Sequence, residues 1–454
     1  MAVVSTVRLS ELEGAQRVDA EYYQPQYLRL VGELRKLGAV PLERFCHFVK
    51  KGIFDLSPRY YVDSGIPLIR TTEIKSEIAD MSSVVFLSED THGRHKETEL
   101  ESADIVFTKI GANIGDSAIL PRRHRRYNFS QNVAGAKIRK AVIAPYYLAA
   151  YLNSKFGRLQ LRRAEMPSGQ GKLELTDIKR ILIVVADSGL QRCVEEFYLH
   201  AEDEIQKSSQ LYSQAENLLL EELGLKDFKP KYELSYSANL SKAFGAHRVD
   251  AEYFQPAYDQ VTEKVTSYKN GYTTLLSTAE PVRADFDPGR YPDNSFRYVE
   301  LADIDTSIGI IHVASDIKGE EAPSRARRIL ERGDVIVSRV EGSLEKVALV
   351  DEEYDGSLAS TGFFQFRVKE THPEVFLVLA KSSVLEAQLK RECTGTILTA
   401  VPNESLKRVV VPILPPDVQQ EITSFVCQSH EARKKAKELL EEAKRKVEEM
   451  IEEA

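Results

Sequence analysis

The stretch GAQRVDAEYYQPQY at 14–27 recurs as GAHRVDAEYFQPAY at 245–258. Eleven of the fourteen positions are identical, and one of the three differences replaces Tyr23 by Phe254. The copies lie 231 residues apart in a chain of 454 residues. A match of this length, rich in aromatic residues, indicates that the chain is an internal duplication whose period is about half its length.

The similarity between the two halves continues beyond this stretch. Two further pairs of segments align: ESADIVFTKIGANIGDSAIL (101–120) with ERGDVIVSRVEGSLEKVALV (331–350), and IKRILIV (178–184) with LKRVVVP (406–412). The first pair aligns Asp104 with Asp334 and Lys109 with Arg339. The offset stays between 228 and 231 residues throughout, so the chain consists of two homologous halves and not of an array of short repeats.

The composition is that of an ordinary globular protein, with 43% hydrophobic and 29% charged residues. Four cysteines, Cys46, Cys193, Cys393 and Cys427, are far apart and form no metal-ligand spacing. We therefore expect neither a disulfide framework nor a zinc site, no cofactor, and a reducing, cytoplasmic location. The sequence has no apolar signal core and no run of eighteen apolar residues, which argues against secretion and membrane insertion.

The charge is distributed unevenly between the halves. The net charge of the chain is -8. Residues 41–165 hold 20 Lys and Arg against 14 Asp and Glu, a net of +6, whereas residues 272–392 hold 15 against 22, a net of -7. Because phosphate contacts need Lys and Arg, a second half that binds nucleic acid must use a local basic patch. PSRARRIL, with Arg325, Arg327 and Arg328, is the obvious candidate.

The pattern of apolar residues predicts an α+β fold with a pseudo-twofold duplication: two β-rich domains joined by two long antiparallel coiled-coil helices. Short β-branched runs separated by Gly, Asp and Asn predict strands at 41–145 and 272–370, followed by helices at 145–165 and 373–391. The expected domains are a first β-rich domain (1–187), a first long helix as spacer (188–226), a linker with a second β-rich domain (227–415) and a second long helix (416–454).

The two long helices carry apolar and small residues at alternating spacings of four and three, the pattern of a coiled coil. In the first, over 188–222, the series includes Val194, Ala201 and Leu219. Equivalent helices of a duplicated chain have equivalent apolar stripes to bury, which favours packing against each other. At about 1.5 Å per residue, roughly 35 residues make a helix on the order of 50 Å long, enough to hold two domains a fixed distance apart.

A basic loop, PRRHRRY at 121–127, follows a predicted strand in the first half. Arg with Asn and Gln is the set of side chains that reads base edges, and Arg also binds phosphate. Such a charge run is equally compatible with a plain solvated loop, and GANIG at 111–115 has the features of a turn and not of a phosphate loop. The candidate DNA-binding residues are Lys109, Arg122, Arg123, Arg125, Asn128, Gln131, Asn132, Arg325, Arg327, Arg328, Arg339, Ser360 and Thr361.

The aromatic residues of the repeated stretch, Tyr22, Tyr23, Tyr253 and Phe254, accompany no recognisable catalytic set. They fit a structural role in the core, and a surface for docking a partner is the functional alternative.

The ordered combination of motifs resembles the specificity subunit of a Type I restriction–modification system, over essentially the whole chain. The motifs that carry the resemblance are GIPLIRTTEI (65–74), DIVFTKIGANIGDSAIL (104–120), APSRARRILERGDVIVSR (322–339), STGFFQF (360–366), the strand before each long helix, and the AEYYQP and AEYFQP boxes. The resemblance implies two target recognition domains, each reading one half of a split double-stranded DNA site. It also implies docking of methyltransferase (modification) subunits, two in number, and of restriction subunits in the full complex.

The alternatives to a DNA-recognition subunit are an enzyme that acts on DNA and an adaptor that does not bind it. The sequence contains neither the Pro-Pro-Tyr/Phe box of a DNA methyltransferase nor a P-loop, so a non-catalytic subunit is expected. The best enzymatic alternative is a metal-dependent nuclease using Asp63, Glu73 and Lys75, although the second half has Asp303 and Asp305 without a matching Lys. A coiled-coil adaptor that binds no DNA is the third possibility, which leaves the two β-rich domains without a task.

Overall fold

The structure is a computed structural model that describes residues 6–8, 17, 19–165, 171–226, 228–395 and 399–454. Parts of the first repeated stretch (14–16 and 18) and of the two Gly-containing connectors (166–170 and 396–398) lie outside the described residues. The chain divides into two compact units. The first unit comprises 1–205 with 434–454, and the second comprises 206–433.

The first unit contains two sheets and a short strand pair. Its strands are β1 (Val40–Pro41), β2 (Cys46–Lys51), β3 (Tyr61–Val62), β4 (Ile66–Ile69), β5 (Val85–Leu87), β6 (Leu100–Glu101), β7 (Ile105–Thr108), β8 (Ser117–Ile119), β9 (Arg126–Phe129), β10 (Val133–Ile138) and β11 (Leu182–Ile183). One sheet has the order β2-β10-β7-β8, the other has the order β3-β5-β4-β9-β6, and β1 pairs with β11. Strands β4 and β9 run parallel, and the other pairs are antiparallel.

The helices of the first unit pack on these sheets. They are α1 (Pro25–Lys36), α2 (Glu89–Gly93), α3 (Pro145–Asn153), α4 (Lys155–Ala164), α5 (Leu175–Arg180) and the first part of α6 (Ser188–Glu222). Pro25 is the first residue of α1, a position that suits its fixed φ, and Gly38, just after the helix, has a φ of 73°. The main core combines β2, β7 and β10 with α3, α4 and residues such as Tyr198 of α6.

The second unit has the same components. Its strands are β12 (Tyr272–Thr274), β13 (Ala279–Pro281), β14 (Ser295–Val299), β15 (Ile304–Asp305), β16 (Ile310–Ile311), β17 (Ser315–Lys318), β18 (Ala326–Ile329), β19 (Val335–Ser338), β20 (Val347–Leu349), β21 (Leu358–Ser360), β22 (Phe363–Val368) and β23 (Val410–Pro412). Its helices are α7 (Leu240–Ala246), α8 (Pro256–Thr266), α9 (Leu275–Thr278), α10 (Pro373–Lys381), α11 (Ser383–Glu392) and α12 (Pro416–Glu452), whose last part belongs to the first unit.

The strand orders of the two units match element by element. The order β2-β10-β7-β8 recurs as β13-β22-β19-β20, extended in the second unit by β16 and β15. The order β5-β4-β9-β6 recurs as β17-β14-β21-β18, and the parallel pair β4 and β9 recurs as β14 and β21. The duplication read from the repeated stretch is thus visible in the topology, including segments whose sequences have diverged.

The long helix predicted over 188–222 is observed as Ser188–Glu222. Buried positions recur along it at spacings of four and three, with Val194, Tyr198, Ala201, Ser208 and Tyr212 among them. The predicted 4–3 series contained Phe197 and Leu211, which are half-buried, whereas the adjacent Tyr198 and Tyr212 take the buried positions. The stripe joins the core of the first unit through its early residues and the core of the second unit through its later ones.

Each unit contains one segment of α6 and one segment of α12, which contact each other. In the first unit, Nζ of Lys435 lies 2.6 Å from Oε1 of Glu204. In the second unit, the Ser429 hydroxyl donates to the backbone carbonyl of Ser208 at 2.7 Å. A hydroxyl that reaches the facing backbone requires close approach of the helices, which small residues at these positions permit.

The helices predicted at 145–165 and 373–391 are each divided in two. Ser154 ends α3 and caps α4, its hydroxyl accepting from the amide of Gly157. Ser382 separates α10 from α11 at the equivalent place, without a side-chain cap hydrogen bond. Ser154 and Ser382 both have ψ near 160°, which is incompatible with a continuous helix. In each unit, the resulting helical hairpin packs against the sheet that contains the shared order of four strands. None of the helices in the part of the chain that the structure describes combines the length and apolar character needed to cross a membrane.

Candidate nucleic-acid interface

The aromatic residues of the repeated stretch lie inside their units. Tyr22, Tyr23 and Tyr253 are buried, and Phe254 is half-buried. The Tyr22 ring lies between two guanidinium groups, with Arg17 4.5 Å and Arg163 3.9 Å from its centroid. The stretch thus anchors the chain before α1 onto α4, so its tyrosines do not themselves form a docking surface.

Part of the predicted DNA-binding set comes together where β7 ends and β10 begins. The backbone amide of Lys109 donates to the carbonyl of Asn132 at 2.9 Å, because β7 and β10 are antiparallel neighbours. Gln131 precedes Asn132, and its Oε1 accepts from the amide of Asp55 at 3.2 Å. We call Lys51, Lys109, Gln131, Asn132 and Lys172 the first strand-end surface.

The first strand-end surface is electropositive. Burial and then the nearby charge of Lys51 lower the pKa of the Lys109 ammonium, as does Lys172. Glu174 opposes this shift and pairs with Lys172 at 2.7 Å. A bound anion would offset the repulsion between these lysines and would therefore stabilise the charged form of Lys109. The arrangement therefore suits a phosphate or another anionic ligand.

The arginines of the loop after β8 lie elsewhere. Strand β9 separates this loop from Gln131, so the two groups stand at opposite ends of that strand. Arg122 is bound to α6, with ion pairs to Glu202 at 2.8 Å and to Asp203 at 2.9 Å, while Arg123 and Arg125 are exposed. The structure thus divides the expected arginine-rich surface of the first unit into two sites.

Asn128 lies inside the fold and not on its surface. It is fully buried. Its Oδ1 accepts from the Thr98 hydroxyl at 2.8 Å and its Nδ2 donates to the carbonyl of His95 at 3.2 Å. The side chain therefore holds the segment around α2 against β9. The prediction that Asn128 contacts DNA is wrong, because a fully buried amide cannot reach a ligand.

The second unit has an equivalent surface. The backbone amide of Arg339, aligned with Lys109, donates to the carbonyl of Gly362 at 3.0 Å, and the amide of Thr361 donates to the carbonyl of Arg325 at 2.8 Å. Arg325 is exposed, Arg339 and Thr361 are half-buried, and Ser360 is buried. We call Arg325, Arg339 and Thr361 the second strand-end surface.

Nη2 of Arg339 also donates inside the unit, to the carbonyl of Val401 at 2.7 Å, and the two other arginines predicted for the second unit have internal partners as well. Arg328 is buried, and its Nη1 donates to the carbonyl of Val282 at 2.7 Å. Burial, followed by the nearby charge of Arg339, lowers the pKa of Arg328 to about 10. Arg327 forms an ion pair with Asp287 at 3.0 Å. Of the three arginines in PSRARRIL, Arg325 is therefore the one fully presented to solvent.

The carboxylates of the nuclease alternative do not assemble into a metal site. Glu73 is fully buried, and its carboxylate accepts from the Arg70 side chain at 2.7 Å and from the Arg70 amide at 2.7 Å. Asp63 and Lys75 are exposed. Across the described ranges, no group of three or more His, Cys, Asp or Glu side chains is arranged to hold a metal ion. Glu73 instead closes a turn after β4, as Asp303 does in the second unit.

Sequence reasoning missed Lys51 and Lys172 in the first strand-end surface. Lys51 is the last residue of β2, which pairs with β10. The pairing of these two strands is not visible in the sequence, so Lys51 could not be placed beside Lys109. The dilysine at 50–51 was a local signal that could have nominated it.

Comparison with protein-family models and with curated proteins yielded no match. Among solved structures, an HsdS subunit from Thermoanaerobacter tengcongensis is 30% identical over 34% of this chain and 40% of its own, with a TM-score of 0.31. The Type I restriction–modification S subunit from M. genitalium is 10% identical over 91% and 94%, with a TM-score of 0.39. A chain from a structure of type I R-M complex assembly and conformational transition is 13% identical over 91% and 96%, with a TM-score of 0.29. This chain is thus similar to solved structures of S subunits from restriction–modification systems.

Proposed function

We propose that this protein is the specificity subunit of a Type I restriction–modification system, a DNA-recognition subunit that carries out no chemistry itself. The observation that carries the proposal is the match between the strand-end surfaces. Lys109 and Arg339 stand at the same place in the same strand order, Lys109 near the exposed Lys51 and Arg339 near the buried Arg328. A duplicated cationic site on a duplicated fold suits a polyanion that is contacted twice.

Each unit would read one half of a bipartite double-stranded site. In the first strand-end surface, lysines would bind phosphates, and the amides of Gln131 and Asn132 would meet base edges. In the second, Arg325 and Arg339 are the cations available to a segment that is acidic as a whole. Arg123 and Arg125 remain candidates for further phosphate contacts, because both are exposed.

Methyltransferase subunits, two of them, and restriction subunits in the full complex are the proposed partners. The duplication offers one equivalent docking area per half. The buried tyrosines of the repeated stretch would support such an area from beneath, and the exposed faces of α6 and α12 would contribute to it. The long helices would hold the two DNA-reading domains at a fixed separation.

The test is selection of bound sequences from a random duplex library, with the full chain mixed with its candidate methyltransferase subunit. Two short fixed motifs separated by a constant unselected gap are expected. Lys109→Ala should weaken enrichment of one motif, and Arg339→Ala should weaken the other. Arg94→Ala, at an exposed position paired with Asp90 on α2, is the matched control and should leave both motifs unchanged.

Other outcomes would contradict the proposal. One continuous motif would mean that only one unit reads DNA. The absence of any enrichment, with both proteins folded, would favour the adaptor that binds no DNA. Loss of both motifs in Lys109→Ala would show that the two surfaces do not act separately, provided that circular dichroism shows the variant to be folded.

A further inference from the structure

Phe54 is an exposed aromatic residue in the loop after β2. Its surface is 71% accessible to water. A phenyl ring gains free energy when it leaves water, so a ring in this position favours a partner that can cover it. Single exposed apolar residues are common, and the significance of Phe54 depends on how it is held and on what surrounds it.

The residues on both sides of Phe54 are anchored. Ile53 is buried, and its amide donates to the carbonyl of Phe129 at 2.9 Å. Asp55 has a φ of 50°, a left-handed conformation uncommon for a non-glycine residue, and its amide donates to Oε1 of Gln131. The loop is therefore fixed against the end of β9, with the Phe54 ring outside.

Gly52 makes this anchoring possible. A Cβ atom at Gly52 would lie 2.2 Å from the carbonyl oxygen of Phe129 and 2.3 Å from that of Ser130. Only glycine lets the chain pass this close to the β9 backbone. The direction in which Phe54 is presented is thus built into the backbone and does not depend on the side chain of Phe54 itself.

Phe54 belongs to the first strand-end surface by position. Nζ of Lys51 lies 4.6 Å from the centroid of its ring, and Lys51 is close enough to Lys109 to lower the pKa of that residue. Gln131, whose Oε1 accepts from the amide of Asp55, precedes the exposed Asn132. An aromatic ring among lysines and amides is the combination that binds nucleic acid, with cations for phosphates and a flat face for a base.

The second half repeats this feature. FDLSPRY at 54–60 corresponds to FDPGRY at 286–291, after β13 and before the other sheet. There the Phe286 ring is stacked on Tyr291, with ring centroids 5.8 Å apart and planes 5° apart, and Tyr291 is 49% exposed. Each unit thus presents exposed aromatic surface at this place in the chain, through Phe54 and, at 37% exposure, Tyr60 in the first and through Tyr291 in the second.

We propose that the Phe54 ring makes an apolar contact with the bases of double-stranded DNA, entering at a base step of the first half-site as a wedge. This inference rests on the proposed function and adds a mode of recognition to it. Insertion of an apolar side chain partly unstacks a base step, and the cost depends on the sequence of that step. Phe54 would then select deformable steps without a hydrogen bond to any base.

The experiment uses the full chain with its methyltransferase subunit and a duplex chosen by the wild-type selection described above. Phe54→Ala should weaken binding about ten-fold, the order of loss found when a base-stacking aromatic is removed. Phe54→Trp should retain most of the affinity. Because Phe54 carries no charge, the slope of log affinity against log salt should be unchanged in Phe54→Ala, whereas Lys51→Ala should reduce that slope by about one.

A direct readout is 2-aminopurine placed at successive positions in the duplex. Wild-type protein should raise its fluorescence at one step in the first half-site, and Phe54→Ala should abolish this rise. Val142→Ala, at another exposed apolar position of the first unit, is the control and should behave as wild type. Since the Phe54 side chain is exposed, the variant should unfold at the wild-type temperature.

The outcomes separate this inference from the proposed function. If wild-type protein selects two motifs but Phe54→Ala binds with wild-type affinity and fluorescence, the wedge is wrong and DNA recognition stands. If Phe54→Ala loses affinity together with salt dependence, the ring acts by positioning Lys51 and not by contacting bases. If wild-type protein selects no DNA, both proposals fail.

Discussion

The guanidinium carbon of Arg163 lies 3.9 Å from the centroid of the Tyr22 ring, and its Nε donates to the Tyr22 carbonyl at 3.0 Å. The second half repeats both contacts between Arg391 and Tyr253, at 4.8 Å and 3.1 Å. One arginine thus grips both the ring and the backbone of the repeated stretch. Both halves thus keep the same arginine contact with the repeated stretch, although the strands between have diverged.

Arg163→Ala should destabilise the first unit. The substitution removes a buried hydrogen bond to a carbonyl and a cation–π contact, so we expect a loss of about 2 kcal/mol in the free energy of unfolding. Hydrogen exchange measured by mass spectrometry should show faster exchange in α1 and α4 but not in the second unit. Arg162→Ala, at the adjacent exposed position, is the control. Equal effects of the two substitutions would contradict a stabilising role for the contacts of Arg163 with Tyr22.

The sequence predicted the arrangement of elements better than the direction of individual side chains. Helix α6 has the predicted bounds, because its 4–3 pattern extends over 35 residues. The break at Ser154 was not predicted, because a single serine inside a helical pattern, here between Asn153 and Lys155, is a weak signal. Asn128 was misplaced because β9 is covered on both faces, so that Tyr127, Asn128 and Phe129 are buried in succession and the usual alternation fails.

Within the candidate site, the alignment of the halves carried most of the information. It paired Lys109 with Arg339 correctly by position, whereas composition alone grouped arginines that the fold separates. The burial of Arg328 was predictable, since alternation from the buried Ala326 along β18 points it inwards. The positions of Lys51 and Phe54 beside Lys109 follow from the pairing of β2 with β10. This pairing joins residues about 85 positions apart, which local sequence patterns do not reveal.

Arg325 and Arg328 should respond differently to removal. Arg325→Ala removes an exposed cation, so DNA affinity and its salt dependence should both fall while the unfolding temperature is unchanged. Arg328→Ala leaves the carbonyl of Val282 without its donor, so the second unit should lose about 1–3 kcal/mol of stability. Filter binding across a salt series, together with thermal unfolding, checks both. A change of salt slope in a folded Arg328→Ala protein would reverse the assignment.

A buried cluster in the first unit joins its sheets to both long helices. Glu77 accepts from the Tyr198 hydroxyl at 2.7 Å and lies 2.9 Å from Nζ of Lys444. Position 444 aligns with Glu216 of α6, which lies in the second unit. Burial raises the pKa of the Glu216 carboxyl, and the nearby charge of Lys381 opposes this with a smaller lowering effect. The charge at this helix position is therefore opposite in the two units.

Lys444→Glu should destabilise the first unit strongly, by about 3–5 kcal/mol, because it leaves Glu77 facing a second buried carboxylate. Adding Glu77→Lys should recover part of this loss, since the exchanged pair restores opposite charges. A double-mutant cycle by chemical denaturation measures the coupling between them. Lys446→Glu, whose cation pairs with Glu442 and Glu449 at a more exposed position, is the comparison and should cost much less. Additive effects of Glu77→Lys and Lys444→Glu would show that the contact carries no coupling.

His430 should make the second unit sensitive to mild acid. It lies on α12, and its Nε2 is 2.9 Å from the carbonyl oxygen of Ile308, to which the ring N–H donates a hydrogen bond. Burial lowers the pKa of His430 in the folded protein. In the unfolded chain its pKa is about 6.5. Below that pH the unfolded chain takes up a proton that the folded protein does not, so stability falls as the pH decreases.

The loss should approach about 1.4 kcal/mol per pH unit once the pH is below the unfolded pKa and still above the folded one. His430→Gln keeps a side-chain N–H that can reach the Ile308 carbonyl but does not titrate. We therefore expect the difference in unfolding free energy between wild type and His430→Gln to shift in favour of the variant from pH 7.5 to pH 5.5. Other groups titrate equally in both proteins and cancel. A pH-independent difference would mean that His430 has the same pKa in the folded and unfolded states, and a shift in the opposite direction would mean that folding raises it.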